Sequence, residues 1–349
     1  MSVLDKLIKN STVDRSSILK DSRFFEKKDY IQTQVPIVNV AFSGQLDGGI
    51  VAGLTTIAGP SKHFKTGFLM LAVKSFFDKY PDGACLFYDS EFGAPQTYFE
   101  NFGIDMEKVW HTPVMDIEQL KFDAMKQLTG LEEGDHVIIV VDSIGALASK
   151  KEVEDALEEK SVADMSRAKA LNSFFRMTKP YLNVINIPMI VINHTYLTME
   201  KYARQVVSGG TKSYLLSDNI FIIGRQQEVE GTGKDKSLEG FNFSMNVEKS
   251  RFVREKSQFN VEVSYDTGIS TWSGLLEEAI ESGHVDNSKQ GWYLKKGEKK
   301  SVRRDETQNK EFWSSILSDP TFQDFIVKKY ALPKGQILSS EDIAGELGV

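Results

Sequence analysis

Apolar strand-like runs and helix-like patterns alternate along the middle of this chain, from Leu54 to Gln227. The strand-like runs are nearly continuously apolar and span Leu54–Ala58, Ala84–Ser90, Val109–Thr112, Val137–Asp142, Met189–Asn193 and Ile220–Gly224. Helical spacing of apolar residues separates the first five, at Lys65–Tyr80, Pro95–Asn101, Ile117–Leu128 and Val162–Leu182. Continuously apolar strands are typical of sheets that are covered on both faces. The pattern therefore predicts an α/β fold, with a mostly parallel sheet flanked by helices.

Beyond Asn219 the alternation stops. Three strand patterns follow one another through short connections, at Ile220–Gly224, Phe241–Val247 and Gln258–Tyr265. They predict an antiparallel extension of the sheet. From Trp272 onward helical and mixed patterns are broken by turn signals at Gly283, Gly291 and Gly297. We expect this last part to form a small C-terminal α/β subdomain.

The first 30 residues are polar, apart from an apolar set at helical spacing formed by Leu4, Leu7 and Ile8. A helix this short could hardly bury its apolar face alone, so we expect it to dock on the core or on a neighbouring subunit. The chain is thus predicted to comprise an N-terminal oligomerisation arm (residues 1–30), a central core (31–270) and a C-terminal subdomain (271–349).

The composition is typical of a globular protein, with 41% hydrophobic and 26% charged residues among 349. The single cysteine, Cys85, excludes an intrachain disulfide and a cysteine-rich zinc site. No apolar run approaches the length of a membrane span, and no signal-peptide pattern opens the chain. We therefore expect a cytoplasmic protein that does not bind membranes.

The formal net charge of −7 argues against a uniformly basic nucleic-acid binder, but not against one that uses a few local loops. One basic run stands out, formed by Lys295, Lys296, Lys299, Lys300, Arg303 and Arg304. Such a run is more often a solvated loop than a binding site.

The stretch GPSKHFKT follows the first strand pattern and opens the first long helical one. Its residues are Gly59, Pro60, Ser61, Lys62, His63, Phe64, Lys65 and Thr66. A phosphate-binding loop in this context supplies backbone N–H groups, a lysine charge for the outer phosphates and a hydroxyl for Mg²⁺. We predict that this stretch binds ATP, with Lys65 on the β- and γ-phosphates and Thr66 on Mg²⁺. A helix cap that contains these residues by chance is the alternative.

Phe64 departs from the phosphate-loop pattern, which asks for glycine immediately before the lysine. A bulky ring at this position is unexpected beside phosphates. We expect the ring to point away from the nucleotide, into the core or into a subunit interface.

Carboxylates follow two of the predicted strands. Asp142 ends the fourth strand, where a magnesium-associated carboxylate lies in phosphate-loop proteins. A strand-ending cap, a task that Ser143 could share, is the other interpretation. Asp89 lies at the end of the second strand, and Glu91 lies just past it. We expect Glu91 to accept a proton from a water that attacks the γ-phosphate, although both carboxylates could be ordinary loop residues.

The fifth strand ends in Asn193 and His194, two polar groups that could sense a phosphate. A lone histidine at a strand end is more often structural. The following stretch, Thr195–Thr211, shows no clear period and mixes basic with aromatic residues. It is predicted to be a mobile loop that contacts nucleic acid, with an ordinary flexible loop as the alternative.

These motifs, in this order, resemble those of the RecA-type recombinases. Their amino-acid sequences are similar to those of the UvsX recombinases of tailed bacteriophages. The resemblance extends from the N-terminus to about Tyr293. Its segments are GPSKxFK (59–65), LFYDSEFG (86–93), LASKKE (147–152), INHTY (192–196), NVEKSR (246–251) and SGLL (273–276). It implies a RecA-like P-loop ATPase core, and it makes Phe64 a trait of the phage branch.

The resemblance assigns further roles by position. Glu91 matches the catalytic base, Tyr98 the aromatic residue that stacks on adenine, and His194 the residue that links the γ-phosphate to a DNA-binding loop. Lys249 and Arg251 match two basic residues that reach the ATP of the neighbouring subunit. Lys65 and Thr66 keep their phosphate and magnesium roles, and Asp142 that of the metal-associated carboxylate.

Two regions, 149–163 and 195–211, match the mobile loops that hold single-stranded DNA in that family. The first is strongly acidic, so contact there has to rest on its lysines and on backbone amides. The DNA-binding residues implied are Lys150, Lys151, Lys160, Lys201, Arg204, Gly209 and Gly210.

We therefore expect an ATP-dependent recombinase that forms helical filaments on single-stranded DNA, exchanges strands with double-stranded DNA and hydrolyses ATP in response to DNA. The resemblance also implies phage single-strand-binding and recombinase-loader proteins as partners, in the bacterial host cytoplasm. A hexameric helicase-like ATPase motor with the same fold is the main alternative, because it would share the loop, Glu91 and Asp142. A mediator that holds ATP without hydrolysing it is a third, against which Glu91 argues.

Overall fold

A twisted sheet built from the predicted apolar runs forms the centre of the computed structural model, which describes residues 2–22, 29–159, 166–199, 203–208, 215–230, 237–287 and 289–333. The strands are β1 (Gly53–Ala58), β2 (Ala84–Asp89), β3 (Val109–Pro113), β4 (Val137–Asp142), β5 (Pro188–Asn193), β6 (Thr195–Leu197), β7 (Gln205–Val207), β8 (Asn219–Glu230), β9 (Ser237–Ser250), β10 (Gln258–Ser264), β11 (Gly268–Ile269), β12 (Val285–Asp286) and β13 (Leu294–Lys295). Every residue of β1 and β5 is buried, as their continuous apolar sequences predict.

Within the described residues the large sheet has the order β11-β10-β9-β8-β1-β5-β4-β2-β3. The six strands from β8 to β3 are mutually parallel, whereas β9, β10 and β11 continue the sheet in antiparallel fashion. Strand β8 joins the two parts, because it is parallel to β1 and antiparallel to β9. The predicted fold class, a mostly parallel sheet with an antiparallel extension, is confirmed.

The helices are α1 (Val3–Asn10), α2 (Pro36–Ser43), α3 (Lys65–Lys79), α4 (Gln96–Asn101), α5 (Ile117–Gly130), α6 (Lys150–Leu157), α7 (Ser166–Val184), α8 (Leu275–Glu281), α9 (Lys310–Leu317) and α10 (Pro320–Tyr330). Those that follow residue 31 and bury apolar residues cover both faces of the sheet. Two apolar clusters result, one containing α2 and α3 and the other α5 and α7. The two faces of a strand contribute to different clusters. Leu54 of β1 belongs to the cluster that contains α7, and Ile57, on the other face of β1, belongs to the cluster that contains α3.

Two helices and one hairpin were not predicted. Helix α2 is apolar nearly all round and buries seven residues, so it has no polar face to reveal a helical period. Helix α6 is charged, but it begins with a capping box between Ser149 and Glu152, a signal that the sequence does contain. Strands β6 and β7 pair with each other inside the stretch that we expected to have no regular structure. Each of these strands has only three residues, which is too short to show an alternating pattern in the sequence.

The described chain falls into two compact units, Met1–Tyr30 and Ile31–Val349. In the first unit α1 exposes Val3, Leu4, Leu7 and Ile8 and buries none of its residues. The division at residues 30 and 270 that we predicted from the sequence stays a prediction. None of the described helices is long and apolar enough to cross a membrane.

Helices α8, α9 and α10 pack into the same apolar cluster as α2 and α3. Trp313 of α9 is fully buried, and its ring stacks on Trp272 with centroids 6.3 Å apart. Tyr330 of α10 contacts Phe259 of β10, with ring centroids 4.7 Å apart. The C-terminal helices are therefore part of the main core rather than a separate one.

We expect Trp313→Ala to lower the free energy of unfolding by about 3–5 kcal/mol, because it removes a large ring from a closely packed core. Urea unfolding followed by circular dichroism measures this. The matched control is Trp110→Ala on the edge strand β3, where the side chain is 69% exposed and the expected cost is below about 0.5 kcal/mol. A separate early transition that involves only the C-terminal helices would contradict a shared core.

Candidate functional site

The phosphate-loop sequence lies between the end of β1 and the start of α3, as predicted. Lys62 and Phe64 both adopt left-handed conformations, with φ of 60° and 55°. A Cβ on Gly59 would lie 3.1 Å from the carbonyl oxygen of Ile223, so glycine fits this close approach to β8. The turn brings the loop to the N-terminus of a long helix, whose free N–H groups and dipole favour an anion.

Lys65 is the first residue of α3 and is buried. Its Nζ atom donates a hydrogen bond to the carbonyl oxygen of Pro60, 2.8 Å away, so the side chain folds back over the loop. Burial lowers the pKa of Lys65, and the charges of Glu91 and Asp142 oppose this shift. A partly desolvated ammonium held over backbone N–H groups can bind phosphate oxygens strongly.

Thr66 and Asp142 meet next to this lysine. The Thr66 hydroxyl donates to Oδ2 of Asp142 at 2.7 Å. Among the described residues the other oxygen, Oδ1, is buried without a hydrogen-bond partner. Burial raises the pKa of Asp142 to about 6, the nearby Glu91 and Asp89 charges add to the rise, and the Thr66 hydrogen bond opposes it. An unsatisfied, charge-crowded carboxylate beside a hydroxyl suits a bound cation.

No three His, Cys, Asp or Glu side chains converge as a metal site in the part of the chain that the structure describes. Mg²⁺ in phosphate-binding proteins commonly takes only one or two protein oxygens, with phosphates and water as the remaining ligands. Thr66 and Asp142 therefore fit Mg²⁺ that arrives with a nucleotide better than a resident, fully protein-coordinated metal.

Glu91 and His194 contact each other, which the sequence did not predict. The Glu91 Oε1 atom accepts a hydrogen bond from the Ser143 hydroxyl at 2.5 Å and lies 2.9 Å from Nε2 of His194. Ser143 lies directly after β4 and is fully buried, so its hydroxyl holds the Glu91 carboxylate against the end of the strand. A Cβ on Gly145 would lie 2.4 Å from Cδ2 of His194, so the imidazole rests against glycine backbone.

Asp89 has a different task from Glu91. It is buried, and its Oδ1 atom accepts hydrogen bonds from the N–H groups of Glu91 and Phe92, at 3.1 and 2.8 Å. Its Oδ2 atom lies 3.2 Å from Nε2 of His111. Asp89 therefore shapes the turn that presents Glu91, which agrees with our choice of Glu91 as the candidate base.

One cavity of about 740 Å³ unites these groups at the carboxyl ends of β1, β2, β4 and β5. Its lining includes Lys65, Thr66, Glu91, Tyr98, Asp142 and His194. Burial raises the pKa of Tyr98 to about 12, so its phenol stays neutral near neutral pH. The cavity wall formed by β8, β9 and β10 adds Arg225, Phe241, Phe243 and Tyr265, which the sequence did not point to.

The Phe64 ring points toward that wall. It stacks on Phe243 with centroids 5.1 Å apart and an interplanar angle of 18°. It also meets the edge of Phe68 at 5.6 Å. The ring thus packs against the core between α3 and β9, as expected, although it also lines one side of the cavity.

Lys249 and Arg251 do not join the cavity of their own chain. Arg251 follows β9 beside the first residues of β8, level with the start of β1. Its Nε atom lies 2.7 Å from Asp218, and Lys249 donates to the Leu215 carbonyl oxygen at 2.8 Å. Burial lowers the pKa of Lys249, and the charges of Lys179 and Arg251 add to the effect. The pair therefore lies at the opposite end of the sheet from the phosphate loop.

The structure describes only part of the two regions assigned to DNA. Lys150 and Lys151 begin α6, where Lys151 forms an ion pair with Asp155 and Lys150 lies 3.9 Å from Glu154. Arg204 is exposed next to β7. The other four predicted residues lie outside the described residues: Lys160, Lys201, Gly209 and Gly210.

The hairpin of β6 and β7 is fastened to the candidate site. The carbonyl oxygen of His194 accepts a hydrogen bond from the N–H of Ser208 at 2.9 Å. The amide nitrogen of Asn193 donates to the Ser208 carbonyl oxygen at 2.8 Å. The base of the hairpin is therefore hydrogen-bonded to Asn193 and His194, and the His194 side chain contacts Glu91.

Two family models match this chain. A family model described as the RecA N-terminal domain matches residues 17–270. Residues 272–326 match the model for the C-terminal domain of the bacteriophage T4 recombination and repair protein.

Individual relatives extend over most of the chain. The Recombination and repair protein of Enterobacteria phage T4 is 44% identical, over 98% of this chain and 88% of that protein. Protein RecA of Aquifex pyrophilus is 24% identical, over 86% of this chain and 82% of its own length. Protein RecA of Aquifex aeolicus is 25% identical, over 70% and 69%. RecA-family proteins generally use a nucleotide and magnesium and assemble on DNA. On these matches, the chain belongs to the RecA family of recombinases.

Proposed function

We propose that this protein is an ATP-dependent recombinase that forms helical filaments on single-stranded DNA and exchanges strands with double-stranded DNA. The observation that carries the proposal is the single cavity in which Lys65, Thr66, Glu91, Asp142 and His194 converge. A phosphate loop, a candidate cation site and a candidate base at one sheet edge support ATP hydrolysis. The family relationship supports DNA as the partner.

In this proposal Lys65 exchanges the Pro60 carbonyl oxygen for the β- and γ-phosphates of ATP. The N–H groups of residues 59–66 surround the phosphates, and Tyr98 provides an aromatic surface for adenine. Thr66 and Asp142 hold Mg²⁺, which neutralises phosphate charge when bound. The unpartnered Oδ1 atom of Asp142 supports this role, because a cation or its bound water would satisfy it.

Glu91 is the proposed general base. The Ser143 hydroxyl and His194 both contact the same carboxylate oxygen, Oε1, which leaves Oε2 to accept a proton from water. Donation from Ser143 fixes the orientation of the carboxylate. A water between Glu91 and the γ-phosphate would then be aligned for attack.

His194 connects the base to the proposed DNA-binding hairpin. Its side chain contacts Glu91, and its backbone carbonyl oxygen accepts a hydrogen bond from the N–H of Ser208 at the base of the hairpin. DNA held by Arg204 and by the proposed neighbours Lys201, Gly209 and Gly210 would stabilise one arrangement of this hairpin. That arrangement would favour one position of Glu91, which gives DNA a physical route to the ATPase site.

DNA contact near α6 is the less direct part of the proposal. Lys150 and Lys151 lie at a helix N-terminus, where backbone N–H groups also attract phosphates, and Lys160 follows the helix. The Asp155 and Glu154 carboxylates compete for the first two lysines. Binding here would exchange these weak surface ion pairs for phosphate contacts.

Lys249 and Arg251 are proposed to act on the ATP of a neighbouring copy. They lie at the sheet end opposite their own phosphate loop, so a head-to-tail contact would bring them to the loop of the next copy. Repetition of this contact without closure produces a helix. The exposed apolar residues of α1 are the proposed second contact between copies.

We further propose phage single-strand-binding and recombinase-loader proteins as partners, and the bacterial host cytoplasm as the location. This part rests on the similarity to the phage T4 protein. The boundaries at residues 30 and 270 belong to the same proposal.

The central test is ATP hydrolysis measured with and without single-stranded DNA. We expect DNA to raise the rate, and Lys65→Ala to lower it by about 10²–10³-fold, because the outer phosphates lose their cation. Lys74→Ala, at a half-buried lysine of α3 that does not line the cavity, is the matched control, and it should hydrolyse ATP normally. The proposal would be excluded if the rate of ATP hydrolysis were the same with and without single-stranded DNA, or if Lys65→Ala hydrolysed ATP at the normal rate.

Glu91→Gln keeps the size of the side chain and removes the proton acceptor. We expect it to retain binding of ATP with Mg²⁺ while the rate of hydrolysis falls by about 10²–10⁴-fold. Glu100→Gln, on the neighbouring helix α4, is the control. Equilibrium binding of a fluorescent ATP analogue together with phosphate release separates the two effects. Rapid phosphate release by Glu91→Gln would assign the base to another residue.

Mixing two inactive variants tests catalysis between copies. Lys65→Ala lacks the cation of the phosphate loop and Arg251→Ala lacks the cation offered to a neighbour. A 1:1 mixture should recover about a quarter of the normal rate, because a head-to-tail site takes one element from each of two copies. If Arg251 acts within its own chain, the mixture stays inactive.

The helicase-like motor is distinguished by its assembly. Electron microscopy of the protein with ATP and single-stranded DNA should show open helical filaments, whereas such a motor forms closed rings. A mediator that only holds ATP would bind nucleotide and release no phosphate.

A further inference from the structure

At the start of α3, Phe64 and Gly67 are each an unusual residue type for the backbone conformation at their position. Phe64 has φ of 55° and ψ of 22°, a left-handed conformation that is strained for a large residue and easy for glycine. Gly67 lies inside the first turn of α3 with an ordinary helical φ, where alanine is intrinsically preferred. The phosphate-loop pattern has glycine at position 64, but this chain has phenylalanine there and glycine three residues later, at 67.

The Phe64 ring occupies the space beside Gly67, which accounts for the glycine at that position. A Cβ built on Gly67 would lie 2.4 Å from both Cε1 and Cζ of the Phe64 ring. Any side chain at 67 would therefore displace that ring. Gly67 is needed for the space it leaves, not for its backbone freedom.

Two sides of the Phe64 ring are blocked. One face stacks on Phe243, which is buried, and its edge meets Phe68, also buried. Because the ring also lines the cavity, a side chain at 67 would either strain the backbone of Phe64 or push the ring into the cavity beside Lys65. The backbone in question is the left-handed turn directly before Lys65.

The outer part of the loop is held by β8, the strand next to β9. The carbonyl oxygen of Lys62, the other left-handed residue, accepts a hydrogen bond from Nη1 of Arg225 at 3.0 Å. The Arg225 guanidinium also lies 4.7 Å from the centre of the Phe241 ring. Arg225 of β8 is directly opposite Phe243 of β9, so both project from one face of the sheet.

We infer that Phe64 and Gly67 are a size-complementary pair that, with Phe243 and Arg225, holds the phosphate loop in its phosphate-receiving shape. These are positioning residues, since they act through the backbone that surrounds Lys65. The inference rests on the proposed function for the identity of the ligand, a nucleotide polyphosphate. An ordinary phosphate loop has glycine at the position of Phe64, and the freedom of glycine allows the turn. In this protein we assign the shape of the loop to packing of the Phe64 ring and to the hydrogen bond from Arg225.

A double-mutant cycle on Phe64 and Gly67 tests the pair. The proteins are the wild type, Gly67→Ala, Phe64→Gly and the double variant, each titrated with a fluorescent ATP analogue and Mg²⁺ and assayed for KM and kcat. In the wild-type background Gly67→Ala should weaken nucleotide binding by about tenfold and raise KM more than it lowers kcat. In the Phe64→Gly background the same substitution should have no adverse effect, because the ring is gone.

Gly130→Ala is the matched control. Gly130 ends α5 without a left-handed φ, and a Cβ there meets no atom within 4 Å. This substitution should behave alike in both backgrounds. Should Gly67→Ala fail to give folded protein, recovery of folded, nucleotide-binding protein in the double variant is the same expected result.

Equal effects of Gly67→Ala in both backgrounds, or no effect in the wild-type background, would overturn the pair. The melting temperatures of the four proteins provide a readout that does not need nucleotide. If the wild type itself binds no ATP analogue, the proposed function fails and the positioning role fails with it. The melting temperatures then still decide whether Phe64 and Gly67 are coupled.

Discussion

The parallel register of the central strands is the constraint on which the site depends. Ala58 at the end of β1 is level with Asn193 at the end of β5, and Asp89 of β2 is level with Asp142 of β4. Backbone hydrogen bonds between the strands fix this alignment, and a one-residue slip would move every side chain to the other face and out of its packing. Side chains that are distant in the chain therefore meet at one sheet edge, as in other open α/β sheets.

Charge balance at this edge follows from that alignment. Asp89, Glu91 and Asp142 converge, and the raised pKa of Asp142 reflects their mutual repulsion on top of burial. Asp89 is relieved by N–H groups of its own turn, Glu91 by Ser143 and His194, and Asp142 in part by Thr66. Lys65 is the nearby cation that acts on Asp142. The carboxylates at this edge are thus suited to a cation such as Mg²⁺, which would also offset the negative charge of nucleotide phosphates.

The sequence was sufficient for the fold class and for most of the candidate site. Strands such as Val137–Asp142 are continuously apolar and end in a polar residue, so pattern and chemistry agree there. Three features required coordinates. The contact between Glu91 and His194 joins two loops that are distant in the chain. Arg225 looks like any exposed strand residue until the Lys62 carbonyl oxygen appears beside it. Helix α2 has no polar face, so its period could not be read.

Asp218 has a consequence for assemblies of this protein. It holds Arg251 and Lys179 at the amino end of the sheet, 2.7 and 2.9 Å away, while the phosphate loop lies at the carboxyl end. In the head-to-tail row that we propose, the two terminal copies would therefore be unlike. One would present a phosphate loop without Lys249 and Arg251 of a neighbour, and the other would present its own Lys249 and Arg251 to no nucleotide. Such a row would have a direction, and its two tips are expected to gain and lose copies at different rates, because only one of them would carry an incomplete nucleotide site.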